Sequence, residues 1–411
     1  MRLSVNYLRF ILENRRFLAF GALLSFSSNF GQTYFIALFA SHIRGEFALS
    51  HGDFGSLYST ATLISALALV WIGRKIDDVD LRLFSALVTA GLAAACFLMA
   101  SATSVALLFL ALLALRLTGQ GLMGHTSATS MARYFGNRRG KAISIAFLGY
   151  PAGEAVLPLA VVALMVGVGW RQSWVVTGAV LAVMLVPLAL WLLKGHGVRH
   201  RRYLEDIAAG GTDEADGKGR QWSRREVLGD VRFYLVLPAA MAAPFILTGL
   251  FFHQVHLAET KGWSLAWLAT CFVGYAVAKL ATTLFSGPLI DRLGAVRLLP
   301  YFLLPLAAGL LALAAFDHPA AALFYLAMAG VTTGASPVVV GAMWAEVYGV
   351  AHLGAIRVLS SALMVFSTAL SPAALGWLID SGVSMQAIVL ASVGYIVAAS
   401  ALVSLTIVSR N

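Results

Sequence analysis

Long apolar runs separated by short polar segments occupy most of the chain. A helix that crosses a bilayer needs about 20 predominantly apolar residues. Twelve runs have suitable lengths, near residues 17–40, 54–73, 83–101, 105–131, 142–166, 173–193, 234–257, 265–287, 297–316, 320–345, 357–379 and 385–408. Because these runs are continuous rather than alternating, they are typical of helices and not of membrane-barrel strands. The pattern predicts an all-α polytopic membrane protein with twelve transmembrane helices.

Composition excludes the common classes of soluble protein. Hydrophobic residues make up 60% of the chain and charged residues only 12%, with a mean hydropathy of +0.83. Soluble domains carry roughly 25% charged residues, so a soluble enzyme, a disordered chain and a disulfide scaffold are excluded. Cys96 and Cys271 lie in separate apolar runs, and we expect from them neither a zinc site nor a disulfide. We expect no cofactor and no metal.

The basic residues indicate an orientation in the membrane. With the N-terminus assigned to the cytoplasm, Arg44, Arg171 and Lys261 fall outside, and Arg116 and Lys279 fall within spans. The other 24 of the 29 Lys and Arg residues then face the cytoplasm, as the positive-inside rule predicts. The net charge of +10 therefore requires no nucleic-acid partner. We predict a bacterial inner-membrane protein with both termini in the cytoplasm.

Residues 194–232 form the longest polar stretch and divide the chain into two halves of six spans. This predicts an N-terminal bundle over residues 1–193, a cytoplasmic linker, and a C-terminal bundle over residues 233–411. The Gly- and Asp-rich middle of the linker is typical of a mobile segment. We interpret its basic ends as topology signals, with contact to anionic lipid headgroups as the alternative. The arginines concerned are Arg199, Arg201, Arg202, Arg220, Arg224 and Arg225.

One short pattern, Gly-x-x-Ile-Asp, recurs at the ends of three spans. It occupies residues 73–77, 287–291 and 376–380. The first two copies are predicted to face the cytoplasm and the third the outside. This arrangement is typical of two parallel six-helix halves, each built from inverted three-helix repeats. We therefore expect two pseudo-symmetric six-helix bundles.

The acidic run Asp77, Asp78 and Asp80 at the end of the second span has two interpretations. It could form a metal–diphosphate site of the kind found in prenyl-transferring membrane enzymes. Such a site needs another acidic cluster in a second cytoplasmic loop between spans, and outside the linker the sequence has none. A charged helix end that latches neighbouring helices explains the run better, and we expect no enzymatic activity.

The two cytoplasmic loops resemble the signature of the major facilitator superfamily (MFS) of secondary transporters, Gly-x-x-x-Asp-Arg-x-Gly-Arg-Arg. The segment Arg116–Gly121 looks like the family's Arg-x-x-x-x-Gly element, and Tyr134–Ala142 is similar to the monocarboxylate and oxalate/formate carriers. The resemblance covers the whole chain and implies the MFS fold and transport by alternating access. It also implies a conformational latch formed by Gly73, Asp77, Gly287, Asp291, Arg292 and Arg297.

Three charged residues fall deep within the predicted spans: Arg116, Glu154 and Lys279. A charge at mid-membrane costs on the order of 3 kcal/mol or more, so each is expected to have a function or a partner. Their net charge of +1 suits a cavity that receives an anion. Lys279 shares one polar helix face with Tyr275 and Thr282, and all three are predicted to contact the substrate.

Each deep charge has two interpretations. Lys279 either binds a substrate carboxylate or pairs with Glu154 as a structural tie. By the resemblance, Arg116 supports substrate binding or proton coupling; alternatively, backbone carbonyls and Glu154 hold it. Glu154 either carries the coupled proton or acts as a counter-ion for Arg116.

Neutral polar residues and histidines add further candidates. Asn29 and Gln32 share one face of the first span and are predicted to orient the substrate. His253, His256 and Glu259 are spaced as one helix face near the outer surface. For them a metal site, a proton sensor at an outer gate and ordinary interfacial contact all remain open. Three hydroxyl residues of the tenth span, Thr332, Thr333 and Ser336, either line the cavity or satisfy backbone carbonyls.

The leading hypothesis is a secondary active transporter of a small organic anion, expected to be a carboxylate, with symport of a proton. Proton-driven efflux of drugs or metabolites is the alternative within the same fold, and a transporter-like membrane sensor is the alternative of another class. The fixed cation at Lys279 counts against efflux, and no appended signalling domain supports a sensor. The expected partners are a small-molecule substrate and the lipid bilayer, and we expect a monomer.

Overall fold

The structure, a computed structural model, describes residues 2–208, 222, 224–349 and 353–408, and within them the regular structure is entirely helical. The α-helices up to the linker are α1 (Arg2–Ser27), α2 (Thr33–Ala37), α3 (Ala40–Phe47), α4 (His51–Ile72), α5 (Lys75–Asp78), α6 (Leu81–Ser101), α7 (Val105–Leu115), α8 (Gly124–Phe135), α9 (Arg139–Phe147), α10 (Gly149–Val168), α11 (Trp170–Val180) and α12 (Val186–Leu192). Those that follow are α13 (His196–Ala208), α14 (Arg224–Leu228), α15 (Val231–Phe252), α16 (Gln254–Lys261), α17 (Leu265–Leu293), α18 (Ala295–Leu298), α19 (Leu304–Ala315), α20 (Ala320–Tyr348), α21 (Leu353–Asp380) and α22 (Met385–Val408). The predicted all-α class is confirmed.

Among the described residues, ten helical segments are long and apolar enough to cross a membrane. They correspond to ten of the twelve predicted spans. The ninth predicted span, residues 297–316, contains the shorter apolar helix α19. The first predicted span is interrupted. The polytopic fold is therefore confirmed, with two spans that depart from a single straight helix.

The interruption of the first span follows from its polar residues. Residues 17–40 were predicted as one run, but a 3₁₀ turn at Ser28–Gly31 separates α1 from α2. The side-chain amide of Asn29 donates to the Phe26 carbonyl at 2.9 Å, in competition with the helical hydrogen-bond ladder. The break frees the Gly31 carbonyl for a side chain from another helix.

The first and fourth spans cross at two glycines. A Cβ atom added to Gly31 would lie 2.3 Å from the Leu115 carbonyl oxygen, and one added to Gly119 would lie 2.8 Å from the Gly31 Cα. The fourth span is a π-helix here, over Arg116–Met123, between α7 and α8. Such π segments inside α-helices are frequent at functional sites. Arg116 lies at the first position of this segment.

Contacts between Cα atoms divide the chain into two compact units. Unit 1 comprises Met1–Ile36, Ala61–Gly153 and Ala163–Asp213, and unit 2 comprises Ala37–Thr60, Glu154–Val162 and Glu214–Asn411. In unit 1, α1 packs against α8, α9 and α12, and α6 packs against α7 and α11. In unit 2, α20 packs against α17 and α19, and α15 packs against α21 and α22. The predicted bundle boundaries at residues 193 and 233 remain a prediction.

Part of the predicted linker is helical. It contains α13 and α14, which carry basic residues on both sides of the linker centre. The segment predicted to be mobile, residues 208–219, lies outside the described residues except for its first residue, which ends α13.

Candidate functional site

A partly buried ion pair in unit 2 joins two of the three deep charges. Lys279 on α17 donates from Nζ to Oε1 of Glu154 on α10 at 2.6 Å. The two side chains are 24% and 10% exposed, respectively. The ammonium also lies 5.5 Å from the centre of the Tyr275 ring, within the range of a cation–π contact. The second carboxylate oxygen of Glu154 is buried and has no hydrogen-bond partner among the described residues, so the pair keeps open acceptor capacity.

Two glycines of α20 fix the backbone that carries Lys279. A Cβ atom at Gly330 would lie 2.3 Å from the Tyr275 carbonyl oxygen, and one at Gly334 would lie 2.5 Å from the Lys279 carbonyl oxygen. Small residues four positions apart allow helices in a membrane to approach closely. Our sequence analysis missed this role, and the spacing of these glycines in the tenth span was the available signal.

A cavity of about 500 Å³ lies between α15, α20 and α21 in unit 2. Thr333 and Ser336 line it, together with Ser360, Ser361 and apolar side chains that include Trp344. None of the described residues that line it is charged. Thr333 precedes Gly334 directly, so the cavity wall adjoins the turn that packs against Lys279. The hydroxyl groups of α21 were not identified from the sequence because serine is common in transmembrane helices.

Arg116 lies in unit 1, and only 3% of it is exposed. Its Nη1 donates to the Gly31 carbonyl at 2.9 Å, and its Nε donates to the Thr62 hydroxyl at 3.1 Å. The carbonyl is the one freed by the break in the first span. Both of these partners are neutral, whereas the structural interpretation of this arginine named backbone carbonyls together with Glu154. The guanidinium thus connects the first, second and fourth spans.

The other predicted substrate contacts have different surroundings. Asn29 is fully buried, and its carbonyl oxygen accepts a hydrogen bond from the Tyr34 hydroxyl at 2.9 Å. Because its amide also holds the break in the first span, its observed contacts are structural. Gln32 is partly exposed at the end of the 3₁₀ turn. Thr282 is partly exposed on α17 and packs near α20. A Cβ atom added to Gly334 would lie 3.0 Å from the Cβ atom of Thr282.

Three imidazoles meet at the first turn of α4 and form what we call the histidine cluster: His51, His253 and His256. The His51 ring centre lies 4.4 Å from that of His256 and 5.6 Å from that of His253. Arg44, Glu259 and Asp380 are the charged groups that border the cluster. Burial lowers the pKa of His256 from its usual value, while Glu259 opposes this shift. Among the described residues no group of three or more His, Cys, Asp or Glu side chains is placed to hold a metal ion.

The third copy of the Gly-x-x-Ile-Asp pattern contacts the same turn of α4. The Asp380 carboxylate accepts hydrogen bonds from the backbone N–H of His51 at 3.0 Å and of Gly52 at 2.7 Å. The first amides of a helix lack partners within the helix and attract negative charge. A Cβ atom at Gly376 would lie 2.4 Å from the His51 carbonyl oxygen. This pattern therefore joins α21 to α4 within unit 2.

The first copy of the pattern is tied to α8 in unit 1. Asp77 forms an ion pair with Arg133, and the Arg133 Nη1 donates to the Ile76 carbonyl at 3.0 Å. The His125 Nε2 lies 3.0 Å from the Gly73 carbonyl oxygen. The basic partner of the first loop thus comes from the end of the fourth span. The predicted latch function of this loop stays a prediction.

The turn that follows the second copy, at Ala295 and Val296, contacts α20. The Glu346 carboxylate accepts hydrogen bonds from the backbone N–H of Ala295 at 2.7 Å and of Val296 at 3.2 Å. Sequence reasoning did not single out Glu346, although it lies at the end of the tenth span as Arg133 does at the end of the fourth. The remaining predicted latch residues of this loop are Asp291, Arg292 and Arg297, all exposed, and Gly287, partly exposed.

Comparison with known proteins assigns the family. No curated protein matches the sequence significantly. Among solved structures, a bacterial homologue of the human lysosomal transporter Spinster, in an inward-facing and occupied conformation, has a TM-score of 0.69 and 17% identity over 94% of this chain and 95% of that chain. The nucleoside transporter NupG has a TM-score of 0.68 and 14% identity over 95% of this chain and 99% of that chain. A D-xylose–proton symporter has a TM-score of 0.66 and 15% identity over 94% of this chain and 96% of that chain. The sequence model of the Major Facilitator Superfamily matches residues 21–273, and the chain therefore belongs to this superfamily of membrane transporters and is not an enzyme.

Proposed function

We propose that the protein is a secondary active transporter of a small organic anion, a carboxylate, in symport with a proton. The Lys279 ammonium holds the substrate carboxylate, and Glu154 carries the proton. The observation that supports this proposal is the partly buried Lys279–Glu154 pair, in which a carboxylate already lies 2.6 Å from the ammonium. The proposed setting is a monomer in a bacterial inner membrane, with both termini in the cytoplasm.

The pair has the chemistry that an exchange of carboxylates requires. A hydrogen bond between charged groups contributes about 1.5–3 kcal/mol, so the ammonium is released only when another charge replaces that of Glu154. Protonation of Glu154 removes its negative charge and leaves a largely buried cation uncompensated, which costs several kcal/mol. A substrate carboxylate restores the balance. Binding of the anion and binding of the proton are thereby coupled, and the charge of the site stays constant.

The neighbouring cavity supports a small solute. Its volume of about 500 Å³ falls in the range of roughly 300–1,000 Å³ that is usual for small-molecule sites. The hydroxyl groups of Thr333, Ser336 and Ser360 in its wall offer hydrogen bonds to the polar part of a substrate. In this proposal Arg116 is a positioning residue, since its guanidinium is engaged with Gly31 and Thr62.

The cavity wall also favours a second candidate function. The described lining residues are uncharged and mostly apolar, which suits a neutral or amphipathic solute. In that case the Lys279–Glu154 pair would be a gate that never contacts the cargo, and the transporter would export drugs or metabolites at the expense of a proton gradient. The two candidates differ in whether a negative charge on the solute matters.

The test is thermal unfolding of the purified protein with a panel of small carboxylates, each paired with its uncharged amide, at pH 5.5 and pH 7.5. A ligand at 100 times its Kd stabilises the folded state by about 2.7 kcal/mol. We expect carboxylates to stabilise the protein, more strongly at pH 5.5, and the amides to have no effect. Lys279→Ala should abolish this stabilisation. Glu154→Gln should keep it and remove its pH dependence, because the amide cannot take up the proton.

The matched control is Lys261→Ala, which removes a lysine that pairs with Asp317 at 2.5 Å at the end of α16. This variant should respond to carboxylates as the unmodified protein does. Undiminished stabilisation of Lys279→Ala by carboxylates would contradict the anion proposal. Equal stabilisation by carboxylates and their amides would favour the second candidate.

A further inference from the structure

A second cavity lies where α1 approaches the end of α12 and the start of α13. None of the three deep charges is among its described lining residues. We call it the basic pocket. Its volume is about 330 Å³. Its lining includes Arg15 and Arg16 of α1, and Lys194, His196 and Arg199 at the start of the linker. All of these residues belong to unit 1.

The charge of the basic pocket is strongly unbalanced. Four cations line it, and Glu13 is the one acidic residue among its described lining. Glu13 is itself engaged by Arg9 at 2.7 Å, on the exposed side of α1. Like charges brought together in a concave site repel one another unless an anion enters. The pocket thus has the charge of a binding site for an anion.

The polar atoms of the basic pocket are only partly satisfied. His196 is 4% exposed, and its Nδ1 is buried with no hydrogen-bond partner among the described residues. The Nε of Arg16 is likewise buried and has none among them. Burial lowers the pKa of His196 to about 4, so its imidazole is neutral at pH 7. An unsatisfied buried polar group is costly, and a ligand oxygen is a natural partner for each.

The cationic side chains of the basic pocket are held in place before any ligand arrives. The Arg16 guanidinium stacks on Trp191 at 4.7 Å and donates to the Trp191 carbonyl at 2.5 Å. The Arg199 guanidinium lies 4.1 Å from the centre of the Phe17 ring, and the His196 ring packs edge-on against Tyr134. Arginine held in this way is suited to phosphate oxygens, which accept its forked donors. The aromatic support reduces the entropy lost on binding.

Exposed apolar side chains lie in or next to the chain segments that line the basic pocket. Leu8, Leu12, Trp191 and Val198 are each between 56% and 59% exposed. These side chains provide contacts for acyl chains beside the cationic group, which a free phosphate ion would not use. We infer that the basic pocket binds the phosphate group of an anionic phospholipid, at the membrane face that the charge distribution predicts to be cytoplasmic. This inference is independent of the transported substrate.

The test measures the apparent affinity of the purified full chain, from thermal unfolding, for three probes: dioctanoyl phosphatidylglycerol, dioctanoyl phosphatidylcholine and inorganic phosphate. We expect phosphatidylglycerol to bind most tightly. Arg16→Gln and Arg199→Gln should each weaken it about five- to tenfold, because a basic residue near an anionic lipid contributes about 1 kcal/mol or more. The matched control is Arg201→Gln, which removes the same charge from an exposed position on the same helix.

Because Arg16 and Arg199 also support aromatic rings, the exposed lining residue Lys194 provides a second variant, Lys194→Gln, that leaves those contacts intact. Loss of affinity in this variant, with Arg201→Gln unchanged, supports the site. Equal loss in Arg201→Gln overturns it, since general surface charge would then explain the binding. Equal affinity for the two lipids also overturns it. An equal response to inorganic phosphate overturns the assignment to a lipid.

Discussion

The contact between Asp380 and α4 gives a prediction whose magnitude follows from the structure. Asp380→Asn keeps the shape of the side chain and one acceptor oxygen but removes the negative charge at the N-terminus of α4. For an exposed carboxylate, interaction with a helix N-terminus contributes about 0.3–1 kcal/mol. Because the carboxylate accepts two backbone hydrogen bonds, we take about 1 kcal/mol as the stabilisation lost in Asp380→Asn. This loss shifts the equilibrium about fivefold from the closed contact toward the open one.

The assay is alkylation of a cysteine placed inside this contact. Ser59 is 7% exposed on α4, and its hydroxyl accepts a hydrogen bond from the backbone N–H of Ala373 on α21 at 3.3 Å. In a Ser59→Cys chain, with the buried Cys96 and Cys271 replaced by alanine, a maleimide reacts only when α4 and α21 separate. Asp380→Asn should raise the reaction rate about fivefold.

The matched control for this assay is Asp53→Asn. Asp53 lies in the same first turn of α4, is exposed, and accepts a hydrogen bond from the Ser50 backbone N–H within its own segment. Removing its charge should leave the reaction rate of the Ser59→Cys thiol unchanged. If Asp380→Asn changes the rate less than twofold, or no more than Asp53→Asn does, the carboxylate does not hold the contact and the reasoning is refuted.

Two further predictions concern packing and pH. Gly334→Ala should lower the stability of the folded state by about 1–3 kcal/mol, because its Cβ atom would lie 2.5 Å from a backbone oxygen of α17. Thermal unfolding checks this prediction. The control is Gly394→Ala, which has open space around it and should show no loss of stability. Acidification from pH 7.5 to 5.5 should open the α4 contact, measured as the alkylation rate of the Ser59→Cys thiol relative to the same thiol in the unfolded chain. The sign follows from the lowered pKa of His256, since the closed contact disfavours the charged form of this imidazole. As the pH falls, the open form therefore takes up the proton more readily than the closed form does. His256→Gln should reduce the pH dependence, and an unchanged slope in that variant would contradict the role given to His256.

The fold was largely predictable because lipid imposes a simple pattern. Each long apolar run must be helical to satisfy its backbone in hydrocarbon, and ten of the twelve predicted runs are helices long enough to span. The departure in the first span was not predictable from hydropathy. It depends on one side chain, Asn29, and on the close approach of Gly31 to another helix, which is a tertiary contact.

The candidate site was predictable in its chemistry and only partly in its geometry. Lys279 and Glu154 were identified because deep charges are rare, and one of the two interpretations weighed for Lys279 joined them. The partner of Asp380 could not be predicted, since the sequence gives the position of a helix end but not which helix it meets. The same holds for His51, which is adjacent to Asp380 only in the folded chain.

The most direct test of the central claim is the coupling of proton and anion in proteoliposomes, using a carboxylate that binds the purified protein. An inward proton gradient should accelerate its uptake by the unmodified protein. In Glu154→Gln this acceleration should disappear while exchange of labelled for unlabelled carboxylate continues, because Lys279 can still bind the anion. Gradient-driven uptake that survives in Glu154→Gln, or exchange that survives in Lys279→Ala, would contradict the account.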